Sequence, residues 1–235
     1  MIIDIQNITK TFGSTEVLNI THLQIKEGEL IGLVGNNGAG KTTLFRLILD
    51  LLKATSGQIL IEDKSVSETT EWKNITGSFI DEKFLIEFLT PEEYFYFVGE
   101  VYGINKKEVD SVLVDFVPFM GNEILNKKKY ISKFSKGNKQ KIGIVAAMLI
   151  RPKLLILDEP FNFLDPSSQM IIKELLQEYN QKYNTTVLLS SHNIQYVMDI
   201  CNRVIVLDSG RIQQDAITLT DTTKVEIENY FKNKK

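Results

Sequence analysis

The sequence predicts an α/β fold in which a core of alternating strands and helices follows a β-rich start and is interrupted by a mainly helical segment near residues 86–153. Three observations carry this. Residues 1–34 alternate apolar and polar positions with a turn at Glu27-Gly28, as strands joined by hairpins do. Beyond them, helical and strand spacings take turns, from Lys41 to Ile61 and again from Arg151 to Leu207. Finally, Leu154-Leu155-Ile156-Leu157 is aliphatic at every position, which suits a strand of a parallel sheet covered on both faces.

Taken in order, Ile3-Asp4-Ile5-Gln6 starts a strand, Val17 to Ile25 forms another, and Leu30 to Val34 a third. A glycine-rich break from Gly35 to Gly40 leads into a helix over Lys41–Leu52, whose apolar stripe runs through Leu44, Phe45, Leu47, Ile48, Leu51 and Leu52. Ser56-Gly57 stops it, and Gln58 to Ile61 returns to strand spacing. At Thr90-Pro91-Glu92-Glu93 a capping box with proline at the first helical position opens the helical segment. Helical patterns run to about Met120 and again from Gly137 to Leu149, and Lys127 to Lys129 reads as a solvated loop. Tyr94-Phe95-Tyr96-Phe97 fits either the core of this segment or a contact surface. After the strand at Leu154–Leu157 come a helix (Ser167–Asn180), a strand (Thr186–Ser190), a helix (Asn193–Cys201) and a strand (Val204–Leu207). No internal repeat is present.

Composition narrows the function classes. Hydrophobic residues make up 43% and charged residues 24%, which excludes a disordered tail, a collagen-like fibre and a low-complexity chain. Cys201 is the single cysteine and cannot form an internal disulfide. The longest apolar run, Ile142 to Ile150, falls well short of a membrane span, and Met1-Ile2-Ile3-Asp4 lacks the basic start of a signal peptide. A net charge of −3 offers no broad attraction for nucleic acid. These features point to a reduced, cytosolic protein.

Gly35-Asn36-Asn37-Gly38-Ala39-Gly40-Lys41-Thr42 matches G-x-x-x-x-G-K-[ST], between a strand and a helix as the pattern requires. Glycines let the backbone curl so that several N–H groups face one concavity, and the helix behind adds its positive end. Such a loop, extended through Thr43, cradles a phosphate tail; Lys41 neutralises β/γ charge and the Thr42 hydroxyl suits Mg²⁺. Asp158 and Glu159 end the buried strand, the end of an open α/β sheet where ligands sit. Asp158 is placed to hold the metal through its water shell, and Glu159 to orient or deprotonate an attacking water.

Phe134-Ser135-Lys136-Gly137-Asn138-Lys139-Gln140-Lys141, at a helix start ahead of that strand, resembles the signature of ATP-binding cassette (ABC) proteins, commonest as LSGGQ. With it the chain resembles, along essentially its whole length, the ATP-binding subunit of ABC transporters. The resemblance implies a P-loop NTPase (RecA-like) core within a single cassette over residues 1–235. An antiparallel β subdomain and the first part of the core take 1–85, a helical insertion with the signature 86–153, and the rest of the core 154–235. It implies ATP and Mg²⁺ as cofactors and ATP held in trans by Ser135, Lys136, Gly137 and Asn138 of a second copy. Asn162-Phe163-Leu164-Asp165 is similar to the D-loop that couples the two sites. Ser190-Ser191-His192 is similar to the H-loop, whose histidine meets the γ-phosphate. Phe12 matches the aromatic that stacks on adenine, while His22 has no such counterpart.

The chain departs from the pattern in places. Asp81 stands where the family's Q-loop usually has glutamine, and an acid there could still ligate Mg²⁺. Lys136 replaces the first signature glycine and Asn138 the glutamine. Phe161 is bulky where relatives carry a small polar residue. The implied machine is a homodimer, or a heterodimer with a paralogous ATPase, that closes head-to-tail on two ATP molecules. It would lie on the inner face of the membrane, drive a separate transmembrane permease and bind no nucleic acid; the compact Asn162–Pro166 segment leans toward exporter-type cassettes. Three rival readings are weaker. A non-transport ABC ATPase would show fused cassettes, a coiled coil or zinc cysteines; a generic P-loop kinase leaves the signature unexplained; a binding module without turnover should lack Glu159.

Overall fold

The computed structural model describes residues 1–232. In chain order the strands and helices are β1 (Ile3–Phe12), β2 (Thr15–Ile25), β3 (Leu30–Val34), α1 (Lys41–Ile48), β4 (Ser56–Ile61), β5 (Lys64–Ser65), β6 (Thr76–Phe79), α2 (Pro91–Val101), α3 (Lys106–Leu113), α4 (Val117–Met120), α5 (Lys136–Met148), β7 (Leu154–Leu157), α6 (Pro166–Tyr183), β8 (Thr186–Ser191), α7 (Ile194–Ile200), β9 (Arg203–Asp208), β10 (Arg211–Ala216) and α8 (Asp221–Lys232). Two sheets result. One is antiparallel, in the order β2-β1-β4-β5; the other runs β10-β9-β3-β8-β7-β6, parallel except for β10.

The second sheet explains the continuous aliphatic runs. Successive side chains of a strand point to opposite faces. Ile31, Leu33, Leu154, Ile156, Leu188, Ile205 and Leu207 therefore enter one core, shared with α1 and the antiparallel sheet. Their neighbours Leu30, Val34, Leu155, Leu157, Val187, Leu189, Val204 and Val206 enter another, shared with the helices between β6 and β7. Parallel pairing sets Leu157 beside Phe79 on one side and Leu189 on the other, so the segments that follow β6, β7 and β8 emerge together.

Most elements stand where periodicity placed them, with differences that have local causes. Helix α1 stops four residues early: Asp50 takes φ 49°, its N–H bonds Leu47 O (3.1 Å), and Leu51 N–H bonds Arg46 O (2.8 Å). This Schellman-type end satisfies the last carbonyls without a glycine. The Thr90–Glu93 capping box forms as expected, and Asn105–Glu108 forms a second. Of the aromatic run, Phe95 is fully buried while Phe97 is exposed, so it is core on one side only. Phe161 has its account: it is buried against the Tyr196 ring at 5.1 Å. Strand β10 and helix α8 were absent from the sequence expectation; β10 is a partly solvated edge strand with no buried position.

Candidate functional site

The loop Gly35–Gly40 leaves the carboxyl end of β3 and enters α1. Gly40 is the N-cap of α1 in a left-handed conformation (φ 107°), with no side chain capping the first turn. The amide donors of that turn therefore face outward, where an anion is stabilised by the N–H groups and the helix dipole. A Cβ on Gly35 would lie 2.3 Å from the Leu207 carbonyl oxygen, so β9 packs too close for any side chain there. One cavity is lined by Val17, by the stretch from Asn37 through Gly38, Ala39, Gly40, Lys41 and Thr42 to Thr43, and by Glu159. Lys41 is buried, its Nζ donating to the carbonyls of Gly35 (2.6 Å) and Asn36 (3.4 Å) and standing 3.4 Å from Glu159 Oε1.

Asp158 and Glu159 follow β7. The Thr42 hydroxyl donates to Asp158 Oδ2 at 2.5 Å, and the Ser190 hydroxyl donates to Asp158 Oδ1. Burial pushes the Asp158 carboxyl up, against the pull of the hydrogen bonds from Ser190 and Thr42. Two hard oxygen donors thus share one wall, one of them a carboxylate short of a counter-charge. That suits Mg²⁺, which takes one or two carboxylates and relies on phosphates and water for the rest. Among the described residues no three or more His, Cys, Asp or Glu side chains are arranged to hold a metal ion by themselves.

Glu159 sits in the left-handed region at φ 49°, a strained place for a residue with a Cβ. Ser190 Oγ accepts its N–H (2.9 Å) and Gln140 Nε2 donates to its carbonyl (3.2 Å), which hold the turn. The carboxylate is thereby aimed between Lys41 and His192, whose Nδ1 lies 2.8 Å and whose backbone N–H 3.3 Å from Oε2. Three ionisable groups converge on the mouth of the phosphate-shaped loop.

Asp81 reaches the neighbouring cavity, lined with Asp158, Glu159, Glu82, Gln140, Lys136 and Phe163 among others. Its Oδ1 accepts the Lys83 N–H (3.0 Å), and its Oδ2 is 3.9 Å from Arg46 and 4.0 Å from Lys83 Nζ. Ser135 caps α5, accepting the Asn138 N–H at 3.2 Å, while Asn138 Nδ2 donates to Glu123 (3.1 Å). A Cβ on Gly137 would meet the Phe163 carbonyl oxygen at 2.5 Å, so glycine is required there. Ser135, Lys136, Gly137 and Asn138 line a third cavity that shares no residue with the loop cavity. Phe12 ends β1 half-exposed, with Lys10 over its ring at 4.8 Å, and does not line the loop cavity. His22 is exposed, 3.5 Å from Asp4.

Sequence reasoning missed the supporting residues. Ser190 had a usable signal: it follows Leu189, which the parallel register pairs with Leu157, the residue before Asp158. Gln140 and Arg46 had none, because their contacts cross between elements.

A family model described as ABC transporter matches residues 18–162. The uncharacterized ABC transporter ATP-binding protein YcbN of Bacillus subtilis (strain 168) is 36% identical over 215 residues, 91% of this chain and 69% of that protein. The bacitracin transport ATP-binding protein BcrA of Bacillus licheniformis is 32% identical, with the same coverage. Among solved structures, an ATP-binding subunit of an ABC transporter superposes with a TM-score of 0.87 at 28% identity, each chain covered in full.

Proposed function

Because this chain belongs to the ABC transporter family of ATP-binding proteins, we propose that it is one cassette, residues 1–235, that binds and hydrolyses ATP to energise a separate transmembrane permease. The observation that carries the reading is the Glu159 carboxylate, held in a strained backbone turn between Lys41 and His192 at the mouth of the glycine loop.

The N–H groups from Gly38 to Thr43 take the phosphate tail, with Asn36 and Asn37 shaping the approach. The Lys41 ammonium exchanges the Gly35 and Asn36 carbonyls for phosphate oxygens, a stronger charge-assisted bond. Thr42 and Asp158 would hold Mg²⁺, with Asp81 an added acid lining the cavity beside Asp158, and the bound ion would supply charge neutralisation at the phosphates. Glu159 then accepts the proton of the attacking water, and His192, fixed through Nδ1, offers its other ring nitrogen to the γ-phosphate. Phe12 supplies an exposed face for the adenine ring.

Ser135, Lys136, Gly137 and Asn138 form their own cavity in this chain, which supports a role toward the ATP of a partner, either a second copy or a paralogue. No helix among the described residues is long and apolar enough to cross a membrane; the solute path is assigned to the permease. Phe84 and Phe88, exposed just after Asp81, offer it an apolar contact at the inner face of the membrane. The test combines calorimetry with turnover. Lys41→Ala should weaken ATP binding at least tenfold, and Glu159→Gln should bind ATP normally while losing about 10²–10⁴ in turnover. Unchanged ATP affinity in Lys41→Ala would remove the assignment.

A further inference from the structure

Lys136 and Phe163 are the two residues that the carboxylate cavity and the signature cavity have in common. Four acids, Asp81, Glu82, Asp158 and Glu159, line the first cavity. The second is bounded by Ser135, Gly137, Asn138, Lys141, Glu123 and Asp165. The Lys136 ammonium stands over the Phe163 ring, 5.2 Å from its centroid, and forms no salt bridge among the described residues. Phe163 itself is 65% exposed and holds φ 63°, a conformation that favours glycine. A bulky ring kept there gains no core packing, and the contact it does make is with the lysine.

We propose that Lys136 and Phe163 work as one element: the ring holds the ammonium between this copy's acid-lined cavity and the signature cavity, ready for the triphosphate of a second copy. The inference rests on the head-to-tail reading above and adds how that site is regulated. The occupant is a second copy carrying ATP, and charge argues for it. Between Gly121 and Lys141 lie seven lysines and one acid, in a chain whose net charge is −3. A cation–π contact is a weak hold that a phosphate oxygen displaces readily. Without the ring, the ammonium would fall toward the four carboxylates of its own copy and be lost to the partner.

The full chain carrying Glu159→Gln, with ATP and Mg²⁺, provides the assay; its dimer dissociation constant is read by analytical ultracentrifugation at several salt concentrations. Lys136→Met should weaken the dimer about tenfold, the scale of one charge-assisted hydrogen bond, and flatten its salt dependence. Lys136→Arg should restore both. Phe163→Gly, which relieves the left-handed strain and should leave the monomer at least as stable, should weaken the dimer about threefold. Phe163→Tyr should not, and in the Lys136→Met background Phe163→Gly should do nothing further. The proposal is overturned if Lys136→Met dimerises like its parent with the same salt dependence, or if Phe163→Gly acts equally with and without the lysine. A parent that stays monomeric with ATP brings down the head-to-tail reading first, and this one with it.

Discussion

Ser190→Ala is the perturbation whose cost is most directly worked from contacts. Ser190 is fully buried, and its hydroxyl serves two groups at once: it donates to Asp158 Oδ1 and accepts the Glu159 N–H. Alanine leaves a buried carboxylate oxygen without its donor and a backbone N–H without its acceptor. Each orphaned group costs about 1–3 kcal/mol, so the loss should be roughly 2–6 kcal/mol. For a chain of this size, at about 2–4 °C per kcal/mol, that lowers the unfolding midpoint by roughly 4–24 °C. The turn that holds Glu159 at φ 49° also slackens, and a carboxylate displaced by about an ångström should lower turnover between about ten- and a hundredfold. Ser191→Ala is the control, because the Ser191 hydroxyl accepts the Asn193 N–H and touches neither acid; it should cost stability but not turnover. The pair is read by thermal unfolding and phosphate release. If Ser190→Ala melts and turns over like the parent, or if the two variants behave alike, the support assigned to Ser190 is wrong.

Three further outcomes are expected. Phe161→Ala, which empties the site packed against Tyr196, should destabilise by about 3–5 kcal/mol in chemical denaturation. Gly137→Ala should leave the fold intact yet suppress turnover, since its methyl group must displace the Phe163 carbonyl; a fully active Gly137→Ala would contradict that contact. The Asp158 carboxyl has its folded pKa raised by burial. Its charged form therefore burdens the protein above that pKa, and the burden is relieved as pH falls through the window between the raised value and the ordinary one. Stability of the metal-free protein should show this relief, Asp158→Asn should abolish it, and Mg²⁺-dependent ATP binding should weaken over the same window as protons compete for the carboxylate.

What was legible in the sequence follows from what acts locally. The glycine loop, the Thr90–Glu93 capping box and the aliphatic strand before Asp158 are each specified within a few residues of chain, and all three formed as read. The end of α1 was not legible, because Leu51 and Leu52 continue the apolar spacing while the backbone turns at Asp50. Strand β10 escaped for the opposite reason: as an edge strand with half of each repeat in solvent it carries little hydrophobic signal. At the site, the residues with chemistry were readable and their supports were not. Ser190, Gln140 and Arg46 act through contacts between elements distant in sequence. Asp81 shows the same limit: the family resemblance sets it at the Q-loop position, but only the fold reveals that Arg46 and Lys83 flank its carboxylate.

The measurement that bears most directly on the account is a crystal structure of the Glu159→Gln protein with ATP and Mg²⁺. Two copies should enclose two ATP molecules, each γ-phosphate lying between Lys41 of one copy and the Ser135 hydroxyl of the other. A fully liganded protein in which Ser135 faces solvent, away from every phosphate, would contradict it.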